Sequence, residues 1–240
     1  MKLKITLVIL SVSIGTYALA YETGDEVHLT AQAAYVYDLG KNRVLFRHNE
    51  EAQLPLASLT KLMTVYVSHR HGLGDYVTSC FTLITSSNKH AEEIASHLIN
   101  PVERLNATAN VLGMRQTFYL NATGLDISPT LAGAYGSARD QAMLLVAFYN
   151  EYPDILDCTR NPDSSLDGTT LPNTNPDVTR TIGLIGSKTG STDLAGGNLA
   201  VIFDAEIDRP VVAIVLGSTS EDRFRDVALL VDYTLDNLKQ

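Results

Sequence analysis

Ala57-Ser58-Leu59-Thr60-Lys61 is the stretch around which the rest of the chain is organised. A serine hydroxyl is a poor nucleophile unless a neutral base is held against it. A helix provides this, because residues three apart share a face with Cβ atoms roughly 5–6 Å apart. Ser58 and Lys61 have that spacing, but so do Ser86 and Lys89 in a second match, Ser86-Ser87-Asn88-Lys89. Either could equally be a helix start capped by serine with a solvated lysine one turn on. The reading therefore depends on the company each match keeps.

Working outward, Ala33 to Asp38 and Arg43 to His48 are β-prone runs separated by Leu39-Gly40-Lys41-Asn42, a hairpin signal. A loop through Pro55 leads to Ser58, and Leu59 to Val67 has the composition of a buried helix. Ser58 is thus expected near a helix N-terminus, where backbone amides and the dipole favour developing negative charge. Helical spacing recurs in Asn88 to Leu98, Val102 to Leu112 and Arg139 to Glu151. The last is opened by Ser137 with Asp140 three residues on, a capping-box pattern. Between Glu151 and Arg180 the chain is rich in Pro, Asn, Asp and Thr and reads as irregular surface structure. Three strands follow, Leu184 to Thr192, Asn198 to Glu206 and Val211 to Gly217, and Glu221 to Leu238 closes the chain as an amphipathic helix. Two strands at the start and three at the end predict an α+β fold, a five-stranded antiparallel sheet flanked by helices.

Composition narrows the function. The formal charge of −9 leaves no basic stripe to neutralise phosphates, so no nucleic-acid partner is expected. Lys2 and Lys4, the apolar run Ile5 to Tyr17 and Ala18-Leu19-Ala20 read as a secretory signal peptide over residues 1–20. The apolar run is short for a bilayer span, which takes about 20 residues. The mature chain, 21–240, is expected to be a single domain with two lobes, exported to the periplasm or cell-wall space without a stable membrane anchor. In an oxidising compartment Cys80 and Cys158 could pair, but two buried or free thiols fit the sequence equally, and unpaired thiols are the favoured reading. Two sequon matches, Asn106-Ala107-Thr108 and Asn121-Ala122-Thr123, read as chance.

Two further motifs single out the first serine. Ser86-Ser87-Asn88 lies just before a helix and supplies a hydroxyl and a carboxamide from a turn. Lys188-Thr189-Gly190 lies on the strand that opens the C-terminal β region, where a glycine would let a substrate backbone approach closely. Ser-x-x-Lys with a Ser-x-Asn element and Lys-Thr-Gly is the signature set of β-lactamases and penicillin-binding proteins. Beyond these, the chain carries Leu112-Gly113-Met114, Asn121-Ala122-Thr123-Gly124-Leu125, Ser137-Ala138-Arg139-Asp140, Asn173-Thr174-Asn175 and Ala195-Gly196-Gly197. On these residues, from about Ala33 to Tyr233, it resembles the low-molecular-weight penicillin-binding proteins, the serine D-alanyl-D-alanine carboxypeptidases and their endopeptidase relatives.

The resemblance implies a role for each motif. Ser58 would attack the carbonyl between two D-alanines of a peptidoglycan stem peptide, and Lys61, kept neutral by burial beside Lys188, would take its proton. Ser86 would relay the proton to the leaving amine, and Asn88 would hold the substrate amide. Lys188 and Thr189, with Gly190 on the same strand, would bind the terminal carboxylate. The backbone N–H groups of Ser58 and Ser191 would form the oxyanion hole. Arg223 would assist at the carboxylate, with Arg225 as a competitor and an unpaired surface arginine as the simpler reading of either. β-Lactams are expected as covalent inhibitors, with no cofactor and no metal. The 28 residues from Ser58 to Ser86 are few for this family, so a reduced helical lobe is expected.

Three rivals are weaker. A class A β-lactamase needs a glutamate in Glu-x-x-Leu-Asn, and Glu103-Arg104-Leu105-Asn106 is one residue short. A zinc peptidase lacks its His-Glu-x-x-His among the six histidines. A non-catalytic peptidoglycan-binding relative would not need three intact motifs.

Overall fold

The computed structural model describes residues 27–166 and 168–238; the predicted signal peptide lies outside them. The predicted hairpin forms with the expected bounds as β1 (Ala33–Asp38) and β2 (Arg43–His48). The C-terminal strands are β3 (Leu184–Thr192), β4 (Gly196–Asp204) and β5 (Pro210–Ser218). All five make one antiparallel sheet in the order β2-β1-β5-β4-β3, with Tyr35 of β1 opposite Ile214 of β5.

Among the described residues the α-helices are, in chain order, α1 (Thr60–Arg70), α2 (Tyr76–Thr85), α3 (Asn88–Ser96), α4 (Pro101–Val111), α5 (Ala138–Glu151), α6 (Pro153–Cys158) and α7 (Asp222–Leu238). Strand β5 is apolar at consecutive positions because both sheet faces are covered. Its side chains alternate between faces. Val211, Ala213 and Val215 share a core with Val227, Leu230 and Val231 of α7. Val212, Ile214 and Leu216 share the larger core with Leu62 of α1 and Leu145 of α5. Every residue from Thr60 to Ser68 is buried, so α1 is the centre of the helical layer.

One part had no element assigned in the sequence reading, and another differs from it. Helix α2 forms from Tyr-Val-Thr-Ser-Cys-Phe-Thr-Leu-Ile-Thr, a run rich in β-branched and aromatic residues, with Asp75 as its N-cap accepting from Thr78 N–H at 2.8 Å. The stretch 152–180, read as irregular, contains α6 and a small hairpin of Asp163–Leu166 with Thr169–Pro172. Cys80 of α2 and Cys158 of α6 are disulfide-bonded with Cα atoms 5.9 Å apart, which corrects the reading of two unpaired thiols. Their 78-residue separation hides the pairing in sequence, whereas packing of α6 beside α2 makes it.

Candidate active site

A 3₁₀ turn, Ala57–Leu59, delivers the chain into α1 and carries Ser58, half-buried, at its centre. Ala57 adopts φ +47°, a left-handed conformation that costs of order 1–3 kcal/mol in a residue with a Cβ and persists only where surroundings impose it. The surroundings are identifiable. Asn198 Nδ2 donates to Pro55 O at 2.9 Å and Leu56 N–H to Ala134 O at 3.0 Å. Gly124 sits so close beneath the turn that a Cβ there would lie 1.8 Å from Ala57 O. On the other side, a Cβ on Gly190 would meet Leu56 O at 2.9 Å and Ser58 N at 3.2 Å. Gly190 is therefore required for close approach of β3 to the serine turn, a reason internal to the fold rather than the substrate approach expected of it.

Lys61 is fully buried, and its Nζ lies 2.7 Å from Ser58 Oγ and 2.8 Å from Thr123 O. Burial brings its pKa down from 10.5 to about 7, with Glu92 opposing weakly. An amine of that pKa is partly neutral at physiological pH and then accepts the serine proton while donating to Thr123 O. Thr123 is positioned by Asn121, whose Oδ1 accepts from the N–H groups of Thr123 at 3.1 Å and Gly124 at 2.7 Å. The Asn121 sequon match thus has a structural use as the shaper of this turn.

The second arm is Ser86 with Lys188. Ser86 ends α2 in a left-handed conformation, φ +58°. Lys188 Nζ donates to Ser86 Oγ at 2.9 Å and to Thr189 O at 2.8 Å. Burial first, then Lys61 and Arg223, push the Lys188 pKa well below its ordinary value. For Lys61, burial carries the shift, and the expected influence of the second cation is felt at Lys188 instead. Among the described residues no hydrogen bond joins Ser86 to Ser58 or Lys61, so the direct proton link from Lys61 to Ser86 is not made in this structure.

The other predicted residues gather around these pairs. Asn88 is the first residue of α3, half-buried, and its side chain has no hydrogen-bond partner among the described residues. The hydroxyls of Thr189 and Thr174 lie 2.6 Å apart, and Thr174 N–H donates to Ile84 O at 3.0 Å, tying β3 to the end of α2. Ser191 is exposed, with its hydroxyl on Gly196 O at 2.9 Å. Arg223 is buried, not a surface arginine, and its Nη1 donates to Gly190 O at 2.7 Å. Arg225 instead donates to Thr30 Oγ1 at 2.8 Å, away from β3. Asp126, which the sequence reading did not single out, accepts from Thr192 Oγ1 at 3.0 Å and Leu194 N–H at 3.2 Å. It fastens the loop after Thr123 to the far end of β3.

A family model described as D-alanyl-D-alanine carboxypeptidase matches residues 20–79 and 80–220. The chain belongs to this family. Its members are serine peptidases that act on peptidoglycan. This D-alanyl-D-alanine carboxypeptidase-family chain is 27% identical over 237 residues to the D-alanyl-D-alanine endopeptidase of Escherichia coli, covering 82% of this chain and 74% of that protein. It is 25% identical over 249 residues to the D-alanyl-D-alanine carboxypeptidase DacC of the same organism, covering 86% of this chain and 61% of that one. Cefotaxime-bound penicillin-binding protein D2 from Listeria monocytogenes superposes with a TM-score of 0.80 at 25% identity, over 88% of this chain and 99% of that one. The family chain therefore has the penicillin-binding-protein fold. Within it, Glu103 lies in the first turn of α4 and accepts from Asn100 Nδ2 at 3.1 Å, engaged away from the serine.

Proposed function

We propose that the chain is an exported serine D,D-peptidase that removes the terminal D-alanine from peptidoglycan stem peptides through an acyl-enzyme on Ser58. The observation that carries this reading is the buried Lys61 amine 2.7 Å from Ser58 Oγ with its pKa brought to about 7. Neutral Lys61 takes the Ser58 proton as Oγ attacks the scissile carbonyl. The backbone N–H groups of Ser58 and Ser191 receive the developing oxyanion, usually a large term in acyl transfer. Collapse expels D-alanine, whose amine takes a proton from Ser86. Lys188 on Ser86 Oγ replenishes it and regains its own proton from solvent, and Lys61 releases the proton it took. Water then hydrolyses the Ser58 ester, returning the free serine and the shortened peptide acid. Asn88 holds the substrate amide.

Lys188 is depressed by burial in the free protein, and an arriving carboxylate reverses this, because an opposite charge within a few ångströms favours the ammonium. Substrate binding is thus coupled to proton uptake at the carboxylate site, with Thr189 and Arg223 beside it. β-Lactams acylate the same serine. The disulfide supports an oxidising, extracytoplasmic location. No helix among the described residues is long and apolar enough to cross a membrane.

Labelling with fluorescent penicillin that disappears in Ser58→Ala is the expected result, and a well-folded wild type that takes no label refutes the enzyme reading. The endopeptidase relative spans more of its own length here than DacC does, so a second reading is cleavage of D-alanyl cross-links. Digestion of purified peptidoglycan separates the two by mass: loss of one alanine against conversion of dimers to monomers.

A further inference from the structure

A second cavity lies on the helical side of the sheet, away from Ser58. It has a volume of about 550 Å³ and opens between β1 and α5. Its sheet wall is Tyr35 and Tyr37, whose rings stack at 6.3 Å with a 10° interplanar angle. Leu112, Met143, Val146 and Ala147 supply an apolar surface opposite, and Asn42 and Asn150 stand among the polar lining groups. The size and mixed lining fit a small-molecule site.

Tyr35 points to a ligand. It is only 6% exposed, it lines the cavity, and its hydroxyl has no hydrogen-bond partner among the described residues. Its ring is buried while its hydroxyl oxygen reaches the open space of the cavity, where it is free to donate to an occupant. Its pKa is raised, chiefly by burial, so it stays a donor at neutral pH. The charged groups around it are already engaged. Arg139 pairs with Glu51 at 2.8 Å, and Glu151 accepts from Tyr66 OH at 2.5 Å. Asn42 Oδ1 accepts from Tyr37 OH, leaving its amide N–H groups to point elsewhere. What remains on offer is a flat aromatic wall, an apolar opposite side and neutral donors. That combination suits an uncharged ring with one C–H face and hydroxyl or acetamido edges, which describes an N-acetylated sugar better than an anion, a cation or an acyl chain.

We propose that this cavity binds a sugar unit of the glycan strand, a contact separate from the Ser58 cleft. The choice of occupant rests on the peptidoglycan reading above.

The test uses the β-1,4-linked tetramer of N-acetylglucosamine, titrated into isotopically labelled full-length protein and followed by amide chemical shifts, in wild type and in Ser58→Ala. Saturable shifts around Tyr35, Tyr37 and Met143 are expected in both. Tyr35→Phe, which removes one hydroxyl and leaves the packing, should weaken binding about tenfold, the scale of one lost hydrogen bond. Ala147→Leu, which fills the cavity, should abolish it. Both variants should still take fluorescent penicillin at the wild-type rate, which shows that they are folded. Absence of saturable shifts, shifts confined to the Ser58 cleft, or equal binding by wild type and both variants overturns the proposal. Failure of the peptidase reading looks different: sugar binding persists while no penicillin label appears.

Discussion

Acylation of Ser58 should rise steeply with pH, and the size of the rise follows from Lys61. The base must be neutral to accept the serine proton, and with a pKa of about 7 it is about 1% neutral at pH 5 and about 90% neutral at pH 8. The rate constant for labelling at saturating fluorescent penicillin should therefore grow about ninety-fold over that interval and level off above it. Lys61→Arg should not label at any of these pH values, because a guanidinium does not deprotonate. Lys61→Met should not label either, but its stability should move the other way. Lowering the pKa from 10.5 to about 7 means that charging Lys61 in the fold opposes folding. This group contributes nothing above its unfolded pKa and opposes folding increasingly as pH drops from there towards 7, reaching a deficit of about 4–5 kcal/mol at 1.36 kcal/mol per unit. After the lost contacts to Ser58 and Thr123 are subtracted, Lys61→Met should gain about 2–4 kcal/mol at pH 6, measured by denaturant unfolding. A flat labelling rate between pH 5 and 8, or a destabilised Lys61→Met at pH 6, would refute the claim that burial makes this lysine the base.

Reducing the disulfide, or replacing it with Cys80→Ser and Cys158→Ser together, should cost up to about 4.5 kcal/mol for a 78-residue loop. A melt should show this as a fall of about 10 °C in Tm. Gly190→Ala should leave the fold intact but cut labelling about 100-fold, because the new Cβ pushes against Leu56 O and Ser58 N and misplaces the nucleophile; wild-type labelling in a folded variant would contradict this. Arg223→Ala should raise KM for a D-alanyl-D-alanine peptide about tenfold while Arg225→Ala leaves it unchanged. Equal effects of the two would remove Arg223 from the carboxylate site.

The sheet and the Ser58–Lys61 pair were legible because each rests on local pattern, whereas the Ser86–Lys188 pair joins residues 102 apart and was not. β1 and β2 alternate about a turn-forming tetrapeptide, and Ser58 and Lys61 share a helix face by spacing alone. Helix α2 was not legible, since Val77, Thr78, Thr82, Ile84 and Thr85 are strand-prone and only tertiary burial of Phe81, Leu83 and Ile84 makes them helical. The 152–180 stretch misled by composition. Its Asn and Thr residues make internal bonds, such as Asn173 Nδ2 to Thr159 O at 2.8 Å and Asn175 Nδ2 to Ser187 Oγ at 3.0 Å, that buttress β3. Arg223 and Arg225 are two apart on one helix, and which of them faces β3 depends on how α7 rolls on the sheet, which sequence spacing does not specify.

The Cys80–Cys158 bond also gives the chemistry an order in time. Ser86 ends the helix that bears Cys80, and Thr159, next to Cys158, accepts from Ser187 N–H at 2.9 Å, one residue before Lys188. In a reducing cytosol the thiols stay apart, and the two halves of the Ser86–Lys188 arm are joined by noncovalent contacts alone. Arrival in oxidising surroundings fastens them. On the proposed function, the Ser86–Lys188 arm is firmly held only once the chain is in oxidising surroundings, so activity should depend on the disulfide while the Ser58–Lys61 pair forms without it.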